Sequence, residues 1–212
     1  MRIGILGTGT MAAALGAAWA ARGHGVTIGG RSEQRARALA ERLGAGVGAA
    51  TPREAVAGRD AVLLAVLWEG VEEILRQAGG PEGALAGTPL IDCTNAVEHG
   101  VGVLLPAAGT SAAERVAALA PGAQVVKALH LFPSSAWTTP RAADEPGPTV
   151  AICGDEPAAL DAVAALIGDL GGRPAVLGPL ARARQLEEVA GFVIGLAFSG
   201  VDPASAVPGV AG

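Results

Sequence analysis

The feature that most constrains this chain lies at its start. Arg2-Ile3-Gly4-Ile5-Leu6 reads as a short apolar strand, and Gly7-Thr8-Gly9-Thr10-Met11-Ala12 follows it directly, opening an Ala-rich helical stretch over residues 11–22. A strand that passes through Gly-x-Gly-x-x-Ala into a helix has the form of a dinucleotide-binding βαβ turn. Gly7 permits the tight turn, and Gly9 lets the backbone approach a pyrophosphate. Ala12 is small enough for the helix to pack on the strand. The helix start then aims its free N–H groups at the anion. In a chain with 32 glycines the pattern alone is weak; its place between strand and helix gives it weight. The competing reading is an ordinary glycine-rich turn.

Apolar runs alternate with helical patterns along most of the chain. Strands are predicted over residues 26–28, 61–66, 90–93 and 125–128. Helices are predicted over 32–43, with Ser32 as N-cap, and over 69–77 and 111–119. After Lys127 the rhythm breaks: residues 131–137 are irregular, and 141–148 form a polar, Pro-bearing loop. A strand at 149–153, a helix at 157–170 and a strand at 174–177 follow, and a last helix begins near residue 181. Strands apolar on both faces, alternating with helices, predict a parallel sheet covered on each side. The expected fold class is therefore α/β, a doubly wound parallel sheet of Rossmann type with a small C-terminal α/β extension. Residues 189–198 carry no polar side chain, so that helix must be covered by its own domain or by a second subunit.

Composition removes several functions. The chain has 15 Lys+Arg against 20 Asp+Glu, a net charge of -5, which argues against nucleic acid and against a basic membrane anchor. With Tyr 0, no phenolic acid is on hand for catalysis. No apolar run approaches the roughly 18 residues of a membrane span. Met1 leads straight into the first strand, leaving no room for a signal peptide, so a cytoplasmic location is expected. Cys93 and Cys153 each end an apolar run and read as buried, inert thiols, and no metal-ligand spacing is present.

The end of the second strand addresses which nucleotide is bound. An NAD site usually places an acid there to hold the ribose hydroxyls. Here the stretch is Ile28-Gly29-Gly30-Arg31-Ser32, without an acid and with Arg35 one turn further on. A guanidinium and a hydroxyl suit a 2′-phosphate, so NADP(H) is expected. A solvated basic helix start is the alternative.

At this point the residues resemble the NADPH-dependent reductases of the deazaflavin coenzyme F420. Gly29-Gly30-Arg31 stands where that family has Gly-Ser-Arg. Leu64-Ala65-Val66-Leu67-Trp68, Ile91-Asp92-Cys93-Thr94-Asn95, Val125-Val126-Lys127-Ala128, Gly154-Asp155 and Gly178-Pro179-Leu180 with Ala183-Arg184-Gln185-Leu186-Glu187 follow in order. The resemblance implies a Rossmann domain over residues 1–128, a small substrate and dimerisation domain over 129–212, and homodimers through the C-terminal helix. It also implies that Ala65, Val66, Leu67, Asn95 and Lys127 join Gly7, Thr8, Gly9, Thr10, Met11, Arg31, Ser32 and Arg35 at the cofactor. One segment departs: where the family has Lys-Ala-Phe-Asn, this chain has Lys127-Ala128-Leu129-His130 and then Leu131 to Trp137. Gly30 in place of Ser also removes one phosphate contact.

Hydride transfer between stacked rings needs little from side chains beyond orientation. The resemblance implies that chemistry, between NADP(H) and a deazaflavin co-substrate. An imine or enone acceptor would instead want a proton donor, and His130, at the carboxyl end of a strand, is the candidate. A histidine bonded within its loop is the equal alternative. Thr94, His130, Pro133, Ser134 and Trp137 are the expected substrate residues. Trp68 either walls the nicotinamide or packs in the core, and His24 and His99 read as structural. A non-catalytic NADP-binding sensor is the third reading.

Overall fold

The computed structural model describes residues 1–139 and 146–207, so the loop expected over 141–148 falls largely outside the described residues. Within them, eight strands alternate with seven helices. The strands are β1 (Arg2–Leu6), β2 (Gly25–Gly29), β3 (Val47–Ala50), β4 (Ala61–Leu64), β5 (Pro89–Asp92), β6 (Gln124–Lys127), β7 (Thr149–Gly154) and β8 (Arg173–Gly178). The helices are α1 (Thr10–Ala21), α2 (Glu33–Leu43), α3 (Pro52–Val56), α4 (Val71–Gln77), α5 (Ala112–Leu119), α6 (Pro157–Asp169) and α7 (Ala183–Phe198). Strand β3 and helix α3 are additions to the sequence reading.

The strands form one sheet in the order β3-β2-β1-β4-β5-β6-β7-β8. Pairings from β3 through β6 are parallel, β7 runs antiparallel to β6, and β8 is parallel to β7. The C-terminal β-α-β unit thus extends the same sheet across the expected boundary at residue 128.

Alternate side chains of the central strands enter opposite cores. Ile3, Ile5, Leu63 and Ile91 pack with α1, α2 and α6, whereas Val62, Leu64, Leu90 and Val125 pack with α4, α5 and α7. Burial on both faces explains the unbroken apolar runs. Local signals fix the helix starts: Ser32 caps α2, Thr51 and Glu54 form a capping box at α3, and Ser111 and Glu114 another at α5. Strand order reverses between β1 and β4, which opens a crevice at their carboxyl ends.

Candidate cofactor groove and the buried lysine cluster

A groove of about 680 Å³ occupies that crevice. It brings together Gly7, Thr8, Gly9, Thr10 and Met11 from the first turn, Arg31, Ser32 and Arg35 from the β2 end, and Ala65, Val66 and Leu67 from the β4 end. Cys93, just past β5, closes the far side.

The turn is shaped by its glycines. Gly7 has φ 142°, and a Cβ there would lie 2.0 Å from the Ala65 carbonyl oxygen. A Cβ on Gly9 would meet nothing within 4 Å, so the space above it is open to a ligand. Gly9 is also the N-cap of α1, with no side-chain cap and no acid in the first turn. The free N–H groups and the helix dipole are therefore available to an anion. Gly30 has a local reason of its own: a Cβ would lie 2.8 Å from Thr8 Cγ2.

The β2 end is cationic. Ser32 Oγ accepts from the Arg35 N–H at 3.3 Å, which leaves the hydroxyl proton available to an anion. Neighbouring Arg37 and Arg76 are paired with Glu33 and Glu73. Arg31 and Arg35 are exposed and, among the described residues, lie within ion-pair distance of no carboxylate. At the opposite end Leu67 is 81% exposed, a large apolar side chain on the groove rim. The groove thus has an anion turn in its middle, cations at β2 and an apolar wall toward β5. These residues fit a dinucleotide with an extra phosphate on its adenosine half.

Behind the β5 end lies a buried charged cluster. Lys127 and Asp92 are fully buried and Glu187 is 1% exposed. Lys127 Nζ donates to Asp92 Oδ2 at 3.0 Å and to the Thr94 carbonyl at 2.6 Å, and sits 3.2 Å from Glu187 Oε1. Burial works against the ammonium charge, but Asp92 and Glu187 outweigh it and hold its pKa above the usual lysine value. All three N–H donors are committed, which corrects the expectation that Lys127 contacts the cofactor. Asp92 Oδ1 in turn accepts from the Thr94 N–H and hydroxyl at 2.9 and 2.7 Å. Glu187 accepts from Ala112 and Ala113 N–H at 2.8 and 3.1 Å, at the start of α5. Glu187 carried no assigned role in the sequence reading; its signal was an acid at the head of an apolar helix.

His130 is 5% exposed, and Nε2 lies 3.1 Å from the Leu186 carbonyl. Because a carbonyl only accepts, Nε2 carries the proton and Nδ1 is bare. Burial first, and then nearby Lys127, push the imidazole down to about 3. A neutral ring whose N–H is already committed is poorly placed to be a proton donor, and its partner lies on α7 rather than within its own loop. Leu129, just before it, has φ 64°. Asn95 Nδ2 donates to the His130 carbonyl at 2.9 Å, tying the β5 and β6 ends together.

The remaining candidates lie elsewhere. Pro133 is exposed, Ser134 begins a 3-10 turn (Ser134–Trp137), and that turn packs against α1. The Trp137 ring is buried in edge contact with Phe132, centroids 5.5 Å apart, so it faces the core. Trp68 lines a second cavity of about 630 Å³ between α4 and α5. His24 bridges the N-terminal amine and Asp169 at 3.0 and 2.9 Å, and His99 stacks edge-on against Phe198. The Cys93 thiol donates to the Leu64 carbonyl, and burial first, then Asp92, raise it to about 12.

With this geometry in place, comparison with known proteins is specific. Residues 2–96 match the sequence profile of the family described as NADP oxidoreductase coenzyme F420-dependent. Over those residues, somewhat under half of its length, the chain is similar to that family. A protein of Arthrobacter sp. FB24 designated a candidate F420-dependent NADP reductase is 28% identical, with a TM-score of 0.81 over 96% of both chains. Rat metalloreductase STEAP3 is 30% identical over 193 residues, 89% of this chain but 36% of its own length. The chain thus spans about a third of that curated relative. An imine reductase of Streptomyces aurantiacus, 23% identical with a TM-score of 0.67 over 98% of this chain and 71% of its own, shares the fold. This F420-dependent NADP oxidoreductase family is the one its motifs resemble.

Proposed function

We propose that the chain transfers hydride between NADP(H) and a deazaflavin of the coenzyme F420 type. The observation that carries the cofactor half is the pair Arg31 and Arg35 beside Ser32, cationic, exposed and, among the described residues, without a carboxylate at ion-pair distance. In this reading Gly9 and the start of α1 hold the pyrophosphate, and Arg31, Ser32 and Arg35 hold the 2′-phosphate. Val66 and Leu67 wall the nicotinamide and exclude water from it. When bound, NADPH supplies the hydride.

The state of His130, the proton-donor candidate, supports a deazaflavin over an imine or enone acceptor. Tyr is absent from the sequence, and His130 is held neutral with its N–H committed to Leu186. A hydride passed between two flat rings depends on their alignment rather than on a side-chain acid. Residues 1–128 then carry the cofactor, and 129–212 carry acceptor contacts and a dimer face. That face is α7 with its neighbour loop, where Val189, Phe192, Phe198, Val101 and Val103 are exposed. Patches of this kind mark interfaces, here a homodimer in the cytoplasm. Among the described residues no helix is long and apolar enough to cross a membrane.

The test is to mix the protein with NADPH and oxidised deazaflavin and follow the deazaflavin absorbance. Catalysed bleaching is expected. No change under conditions where NADPH demonstrably binds, with turnover of an imine or enone instead, overturns the deazaflavin reading. Sedimentation analysis tests the dimer, and a monomer at micromolar concentration refutes it.

A further inference from the structure

The buried charges behind the β5 end lie outside the groove, yet they bond Thr94, the residue next to Cys93 on its lining. The groove runs from Arg31 at β2, past Gly9, to Cys93 just beyond β5. With the phosphate-bearing adenosine half at the β2 end, the nicotinamide half belongs at the β5 end. Thr94 and Asn95 continue the chain from Cys93 there.

What fixes that segment is Lys127. It bonds the Thr94 carbonyl at 2.6 Å, while its other two donors go to Asp92 and Glu187. Asp92 adds the Thr94 N–H and hydroxyl. Glu187 comes from α7, and its immediate neighbour Leu186 takes the His130 N–H. Asn95 closes the loop by binding the His130 carbonyl. The first turns of α7 are therefore fastened to both strand ends that face the nicotinamide half. A buried ammonium shared by two carboxylates is weak evidence for stability, because a well-packed apolar set would serve about as well. A directional cluster that grips one loop carbonyl is better explained by placement.

We propose that Glu187 is a positioning residue for the nicotinamide, acting through Lys127 on the Thr94–Asn95 segment. The proposal rests on the NADP(H) reading of the groove but not on the identity of the acceptor. Glu187 steers Lys127 toward the Thr94 carbonyl, and the segment then presents a fixed edge to the nicotinamide half. The adenosine half, bound at Arg31 and Gly9, does not sense the cluster.

Two ligands separate these halves. Adenosine 2′,5′-bisphosphate carries the adenosine and its extra phosphate but no nicotinamide; NADPH carries both. Glu187→Gln is expected to weaken NADPH about tenfold and to shift the fluorescence of the bound nicotinamide, while the bisphosphate stays within about twofold. Glu187→Asp should recover part of the NADPH affinity. Adding Glu187→Gln to Lys127→Met should cost no more than Lys127→Met alone, because one residue acts through the other. Parallel loss of both ligands would reveal a purely structural role and overturn the proposal. So would unchanged NADPH binding, or independent losses that multiply in the double variant. If Lys127→Met does not fold, the two Glu187 variants and two ligands still decide. Failure of wild-type protein to bind NADPH at all would instead count against the NADP(H) reading itself.

Discussion

One added methyl group at each glycine of the first turn should separate folding from binding. At Gly7 the backbone sits at φ 142°, and a Cβ would press to 2.0 Å from the Ala65 carbonyl oxygen and 2.7 Å from its carbon. Those are backbone atoms at the exit of β4, so no side chain can swing aside. The strained conformation costs about 1–3 kcal/mol, and forcing β1 from β4 adds about 1–3 kcal/mol. Gly7→Ala should therefore lose about 2–6 kcal/mol in a urea titration, a large share of a typical total of about 5–15 kcal/mol. At Gly9 the added methyl meets nothing within 4 Å. Gly9→Ala should keep its stability within about 1 kcal/mol. Its methyl instead occupies the space left for a pyrophosphate, and losing one charge-assisted bond removes about 1.5–3 kcal/mol of binding. NADPH Kd should rise about ten- to hundredfold. Two outcomes refute the reasoning: Gly7→Ala as stable as wild type, or Gly9→Ala binding NADPH normally.

Other substitutions probe the remaining parts. Arg31→Ala should raise the Kd of NADPH about ten- to hundredfold, the loss of one charge-assisted phosphate contact, and leave NADH within about twofold; equal losses for both would place Arg31 away from the 2′-phosphate. Cys93, raised to about 12 by burial, should resist thiol reagents at pH 8 in the folded protein, and rapid labelling of Cys93 would contradict its geometry. His130 binds a proton near pH 6.5 when unfolded but only near 3 when folded. Stability from this group is therefore complete above pH 6.5 and lost as the pH falls from there toward 3, by about 2 kcal/mol at pH 5. His130→Asn should flatten that part of the urea-midpoint profile between pH 7 and 5, and an unchanged slope would show that His130 does not titrate this way.

The fold was legible because the central strands announce themselves by burial on both faces. Leu63 and Leu64 point into different cores, yet both must be apolar, so β4 reads directly from the chain. Strand β3 carries no such mark. Its Val47-Gly48-Ala49-Ala50 has one residue of high strand propensity, is only partly buried, and forms because β2 offers it a free edge. Helix α3 could have been found, since Thr51-Pro52-Arg53-Glu54 is a capping box with proline in the first turn.

That the residues of the first turn and the β2 end would share a groove was legible for a related reason: they sit in contiguous stretches at the ends of neighbouring strands. The β5 end was not. Lys127, Asp92 and Glu187 meet across three elements, and only their contacts show that the ammonium is used up by neighbours. From the sequence Trp137 reads as a substrate residue. The fold places it in edge contact with Phe132, in the core beside α1.

The central claim is direct hydride transfer from NADPH to a deazaflavin ring. NADPH carrying deuterium at the transferring position of its nicotinamide tests it most directly, by mass analysis of the reduced deazaflavin after a single turnover. The account predicts one deuterium on the deazaflavin ring carbon and none released to water. Deuterium recovered in solvent, or NADPH left unoxidised beside a bound deazaflavin, would contradict it.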